Sequence, residues 1–118
     1  MTETYHKPMK RHDTGEPVRL RVISETDGQP VALTGVNASF HMYKVNDDGS
    51  MTELVNAPAS IEDPSTAGIV RYDWQVGDTT EIGLHLAEFE LVFPTGEKEH
   101  YPREGYIEIS IELDLDNA

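Results

Sequence analysis

The sequence contains no cysteine, which excludes disulfides, thiolate metal sites and thiol nucleophiles together and leaves stability to packing and hydrogen bonding. Long apolar runs are missing too. No window approaches the roughly 20 apolar residues that a membrane-crossing helix needs, and residues 1–11 (MTETYHKPMKR) lack the apolar centre of a secretory signal. The expectation is a soluble chain that no signal exports.

Positive charge is scarce. Nine Lys and Arg stand against 22 Asp and Glu, for a formal charge of -13. Nucleic acid is therefore a poor partner, because binding it depends on cations that displace counterions from phosphates. A surface this acidic, with four lysines (Lys7, Lys10, Lys44, Lys98), fits a high-salt source and equally an acidic mesophilic protein. The exception is the N-terminus, where Lys7, Lys10 and Arg11 face only Glu3 over residues 1–12.

Helical periodicity is also lacking. The best candidate, residues 78–89 (DTTEIGLHLAEF), is interrupted by Gly83 and continues into a strand, so that at most residues 79–82 make a helical turn.

Period-2 alternation is what the sequence has in quantity, and it marks strands with one face on a core and one in water. The apolar rows are Val18, Leu20 and Val22; Val36, Ala38, Phe40 and Met42; Val70, Tyr72 and Trp74; Ala87, Phe89, Leu91 and Phe93; and Ile107, Ile109, Ile111 and Leu113. A weaker strand covers residues 50–56, and a short one the "VAL" at 31–33. Asp27-Gly28, Asp48-Gly49 and Thr95-Gly96 supply hairpin turns, while Pro58, Pro64 and Pro102 punctuate loops.

With 118 residues there is room for one domain. The fold expected is all-β, an immunoglobulin-like antiparallel β-sandwich of seven to eight short strands over residues 13–114. An extended arm (1–12) precedes it and a short tail (115–118) follows. Val22, Phe40, Tyr72, Trp74, Phe89, Leu91 and Ile109 are the expected core, and Asp73 falls on the outer face.

Candidate chemistry is thin. Five histidines (His6, His12, His41, His85, His100) lack i, i+2 or i, i+4 spacing and are expected at the surface rather than on a metal. The acidic segment 46–53 (NDDGSMTE) departs from the spacing of a calcium loop and suits a hairpin turn. Carboxylates are abundant, but strands alternating Glu with Ile leave them solvated. Nucleophile elbows, phosphate-cradling glycine loops and zinc-protease motifs are absent, and no catalytic, cofactor or metal residue is assigned. Trp74, Tyr43 and Tyr101, if exposed together, would form a carbohydrate platform; shared parity with Val70 places Tyr72 and Trp74 in the core instead. The basic arm, with Tyr5, His6, Lys7, Lys10 and Arg11, is the candidate partner-binding segment.

Several features in order carry a resemblance: Asp13-Thr14-Gly15, Asp27-Gly28 with Pro30, Leu33-Thr34-Gly35, Phe40-His41-Met42, Gly68 with Tyr72 and Trp74, Gly77-Asp78, Ala87-Glu88-Phe89, Phe93 with Gly96, and Pro102 with Gly105-Tyr106. Over about residues 12–113 the chain resembles the N-terminal immunoglobulin-like domain of phage baseplate upper proteins and its single-domain relatives in tailed viruses. The resemblance implies a non-enzymatic virion structural protein, assembled in the host cytoplasm. Its partners would be other virion proteins, met in several symmetry-related copies, with no nucleic acid, membrane, small-molecule substrate or cofactor. In baseplate proteins a long helical, receptor-side region follows. This chain ends at Ala118, so the expectation is a small accessory component of capsid (a decoration protein), neck, tail or baseplate. The alternative class is a carbohydrate-binding sandwich mediating adhesion to a host surface.

Overall fold

The computed structural model describes residues 5–117. Eight strands follow one another: β1 (Tyr5–Lys10), β2 (Val18–Arg21), β3 (Asn37–Val45), β4 (Met51–Ile61), β5 (Ile69–Tyr72), β6 (Gly83–Val92), β7 (Lys98–Tyr101) and β8 (Ile107–Glu112). Helical geometry among the described residues is confined to single 3-10 turns at Ser65–Ala67 and Leu115–Asn117. Residues 79–82, the most that the sequence allowed as a helical turn, do not form one; the chain turns at residues 76–79 and enters β6 at Gly83.

Hydrogen bonding runs in one path, β1-β8-β6-β3-β4-β5-β2, with β7 beside β6. The path curls at β4. That strand is 11 residues long; Ala59 and its predecessors pair with β3, and Ser60 and Ile61 pair with β5. The result is an all-β, immunoglobulin-like sandwich with a larger layer (β1, β8, β7, β6, β3, β4) over a smaller one (β4, β5, β2). Pro58 lies inside β4, opposite Ser39, and not in a loop. It is tolerated because β5 joins only from Ser60, so at Pro58 the far edge of β4 has no ladder from which a donor would be lost.

The alternating rows meet between the layers. Val22, Phe40, Phe89, Leu91 and Ile109 are fully buried, and Tyr72 and Trp74 nearly so. Phe40 contacts three rings: Tyr72 stacked at 4.5 Å, Phe89 at 5.1 Å and Trp74 edge-on at 5.8 Å. Trp74 lies past the end of β5, and its indole nitrogen makes no hydrogen bond. Asp73 beside it is exposed. Tyr72 donates its hydroxyl to Asp78, which also accepts the Gln75 N–H at 2.9 Å, so one carboxylate ties the core ring to the turn that follows it.

Three local departures stand out. The "VAL" segment is not a strand: an isolated bridge joins Ile23 and Pro30 just before it, the Val31 N–H donates to the Val22 carbonyl (2.9 Å), and the Leu33 N–H turns away to the Ser65 carbonyl (3.0 Å). β8 stops at Glu112, leaving Leu113 39% exposed beyond the row it was expected to extend. The arm is built into the sheet: over Tyr5–Lys10 it is an edge strand, paired parallel to β8 from Tyr5 opposite Ile107 to Lys10 opposite Glu112. Residues 1–4 of the arm and Ala118 of the tail lie outside the described residues.

Candidate functional site

Four polar side chains in or just after β1, those of His6, Lys10, Arg11 and His12, are turned onto the protein itself. Lys10 pairs with Glu112 at 3.1 Å, and the Arg11 guanidinium reaches the nearly buried Asp114 at 2.7 Å. His12 touches the other oxygen of Asp114 at 3.3 Å, and His6 shares a hydrogen bond with Ser110 at 3.1 Å. Tyr5 and Met9 pack against the core, with Lys7 between them in the same row, opposite Ile109. Of the candidate partner-binding residues, Lys10 and Arg11 are thus engaged with their own domain, and Tyr5 is partly core. The sequence carried a faint signal of this: Tyr5, Lys7 and Met9 alternate, and Glu112 and Asp114 recur with the matching two-residue step. Pro8 in the middle of the segment obscured it.

The histidines separate. His85 is fully buried, contrary to the surface position expected of it. It shares parity with Ala87, Phe89 and Leu91 on β6, so the inward row itself placed it inside. Its Nδ1 lies 3.0 Å from the Gly83 carbonyl, its Nε2 is unpartnered, and burial pushes its pKa below the usual histidine value. The other three strand histidines lie on the outer face of the larger layer, each opposite a glutamate: His6 and Glu108, His41 and Glu88, His100 and Glu90. Only the last pair is in direct contact, at 3.2 Å. Among the described residues no three His, Asp or Glu side chains converge as a metal set.

That outer face is the most distinctive surface. Where β3 and β4 meet, Val45 stands opposite Met51, and Tyr43 opposite both Glu53 and Leu86. Leu84, one outward position before Leu86 on β6, stands opposite Ser110, whose other neighbour is Pro8 of β1. A strip of Met51, Val45, Leu84 and Leu86 therefore crosses the sheet; Met51 is 52% exposed and Leu84 40%. Around it stand Glu53, Glu88, Glu90, Glu108 and Glu112. Tyr43 donates its hydroxyl to Glu53 at 2.8 Å, and that bond raises the tyrosine pKa. Strand alternation was legible in the sequence, but the strip was not, because its members come from three strands whose register only the folded sheet fixes.

A second feature is the seam where the edge strands β1 and β2 approach β7. A cleft of about 520 Å³ is lined there by Tyr5, Leu20, Arg21, Ile23, Tyr101 and Pro102. Tyr101 is nearly buried, and burial first and then the Glu99 carboxylate, bonded at 2.6 Å, push its pKa up to about 12. Arg103 stacks over its ring at 5.5 Å and pairs with Glu25 at 3.6 Å. Trp74 and Tyr101 are thus inside and Tyr43 is half-buried, so the three aromatics do not form an exposed platform. The 46–53 segment is a hairpin turn: the Asp48 carboxylate accepts the Ser50 N–H (2.9 Å) and hydroxyl (2.6 Å), which lower its pKa.

No protein-family model matches the chain, and no curated protein does. Among solved structures, the crystal structure of CopC from Methylosinus trichosporium OB3b is similar over 91% of this chain and 84% of that one, at 15% identity and a TM-score of 0.47.

Proposed function

We propose that this protein is a non-enzymatic assembly module that holds other protein subunits, in the context the sequence resemblance implies: a tailed-virus particle, as an accessory component of capsid, neck, tail or baseplate. The observation that carries the docking part is the apolar strip on the outer face of the larger layer, exposed at Met51 and Leu84 and half-buried at Val45 and Leu86, set in a ring of carboxylates. Specific interfaces have this anatomy, an apolar centre with a polar rim. A monomeric surface seldom spends several large apolar side chains on one sheet face without a partner.

The strongly negative chain supports regulated assembly, since like charge discourages uncontrolled self-association while leaving a complementary surface free to dock. In a symmetric particle the same strip would meet the same partner patch in every copy.

The test is incorporation. Leu84→Asp on the exposed strip is expected to leave the fold intact and to exclude the protein from purified particles, measured by quantitative mass spectrometry of the particle. Normal copy number with this variant would overturn the docking face. Absence of the wild-type protein from particles, together with specific binding of the wild-type chain on a glycan array, would favour the carbohydrate-binding alternative.

A further inference from the structure

The charge around the strip states what kind of surface fits it. The five glutamates of the outer face are accompanied by two lysines of the same face, Lys10 and Lys98. Lys10 is matched at 3.1 Å by Glu112, and Lys98 stands 4.0 Å from Glu90. Glu53, Glu88 and Glu108 remain without a lysine or arginine among the described residues. They flank Tyr43, His41 and Leu86 in neighbouring cross-strand rows. Covering the strip would take these three carboxylates out of water, which is unfavourable unless the incoming surface brings cations to meet them.

Resting on the docking reading above, we propose that the partner of this face is a protein surface apolar at its centre and rich in lysine or arginine at its rim, placed to meet Glu53, Glu88 and Glu108. A second copy of this chain does not satisfy the requirement, because the same five glutamates would face one another and the whole chain carries -13. Anionic lipid and nucleic acid fail for the same electrostatic reason. The apolar centre sets affinity, and the cationic rim sets orientation and rate of encounter.

Two 12-residue peptides serve as probes, one alternating leucine with lysine and one alternating leucine with glutamate, titrated into the isotope-labelled full chain and followed by amide chemical shifts. The leucine-lysine peptide is expected to shift residues of β3, β6 and β8 around Leu84 and Leu86, and to weaken at least tenfold with Leu84→Asp. Glu53→Lys combined with Glu108→Lys should weaken it similarly, as should a rise from 50 to 500 mM salt. Met51→Asp gives a second route should Leu84→Asp perturb the sheet. Shifts confined to other surfaces, or affinity indifferent to the charge-reversal pair, would overturn the proposal. Equal binding of the leucine-glutamate peptide at these residues would overturn the basic rim while leaving a docking face in place. The docking reading itself stands or falls separately, on particle incorporation of Leu84→Asp.

Discussion

Phe40 of β3 and Tyr72 of β5 stack face to face between the two layers, with ring centroids 4.5 Å apart and planes within 8° of parallel. The edge of Trp74 closes on both rings, at 5.8 and 5.6 Å. The three rings join the larger layer to the smaller one near the point where β4 changes partner.

Removing the indole should open that cluster. Trp74→Ala is expected to cost about 3–5 kcal/mol, as large core truncations do, and urea unfolding followed by far-UV circular dichroism measures it. An unchanged midpoint would mean that Trp74 does not hold the layers together.

Deleting residues 1–11 tests whether the N-terminus belongs to the sandwich. The deletion strips β1 from β8, uncovers the inward row that Tyr5 and Met9 pack against, and leaves Asp114 without its Arg11 partner. A loss of at least ~2 kcal/mol is expected from the lost burial alone, seen as a lower urea midpoint. A truncated chain as stable as the full one would show that β1 is a detachable arm.

Gly68 is the backbone position least open to change. Its φ is 73°, and a Cβ there would stand 2.9 Å from the Val31 carbonyl oxygen and 3.0 Å from that of Val22. The Val22 carbonyl accepts the Val31 N–H, and the Val22 N–H donates to the carbonyl of Gly68 itself, so this backbone cannot move aside freely. Gly68→Ala is expected to destabilise by about 2–4 kcal/mol, combining left-handed strain with the close approach. Gly49→Ala is the control, because its φ is also positive (88°) but no atom lies within 4 Å of the added carbon. It should cost clearly less.

His85 gives the pH dependence a direction. Its folded pKa lies below the ordinary value of 6.5, so below that pH the unfolded chain binds the proton that the folded chain refuses. Stability is then full above about pH 6.5 and is lost progressively as pH falls toward the folded pKa. His85→Leu is expected to flatten this slope below about pH 6.5 in urea midpoints taken at stepped pH. A slope identical to wild type would place its origin elsewhere.

Much of the fold was legible in the sequence because period-2 rows report which face of a strand is dry, and the rows through Phe40, Phe89 and Ile109 do so without ambiguity. Turn dipeptides placed the β3–β4 and β6–β7 hairpins for a similar reason, as their glycines adopt the positive φ such turns require. His85 was legible too, by parity, but its residue type argued for water and its row for the core. β1 was hidden because Pro8 and three basic groups suggest an unpaired segment until the carboxylates at 112 and 114 are brought alongside.

The sequence by itself determined the fold class, the inward rows and the acidic surface, since strand periodicity and charge are properties of neighbours along the chain. Only the tertiary structure decided that β1 joins the sheet as an edge strand, that β4 serves both layers, and that Met51, Val45, Leu84 and Leu86 form one strip among glutamates. Those relations depend on cross-strand register, which is set by the packing of the whole core and has no trace in any single segment.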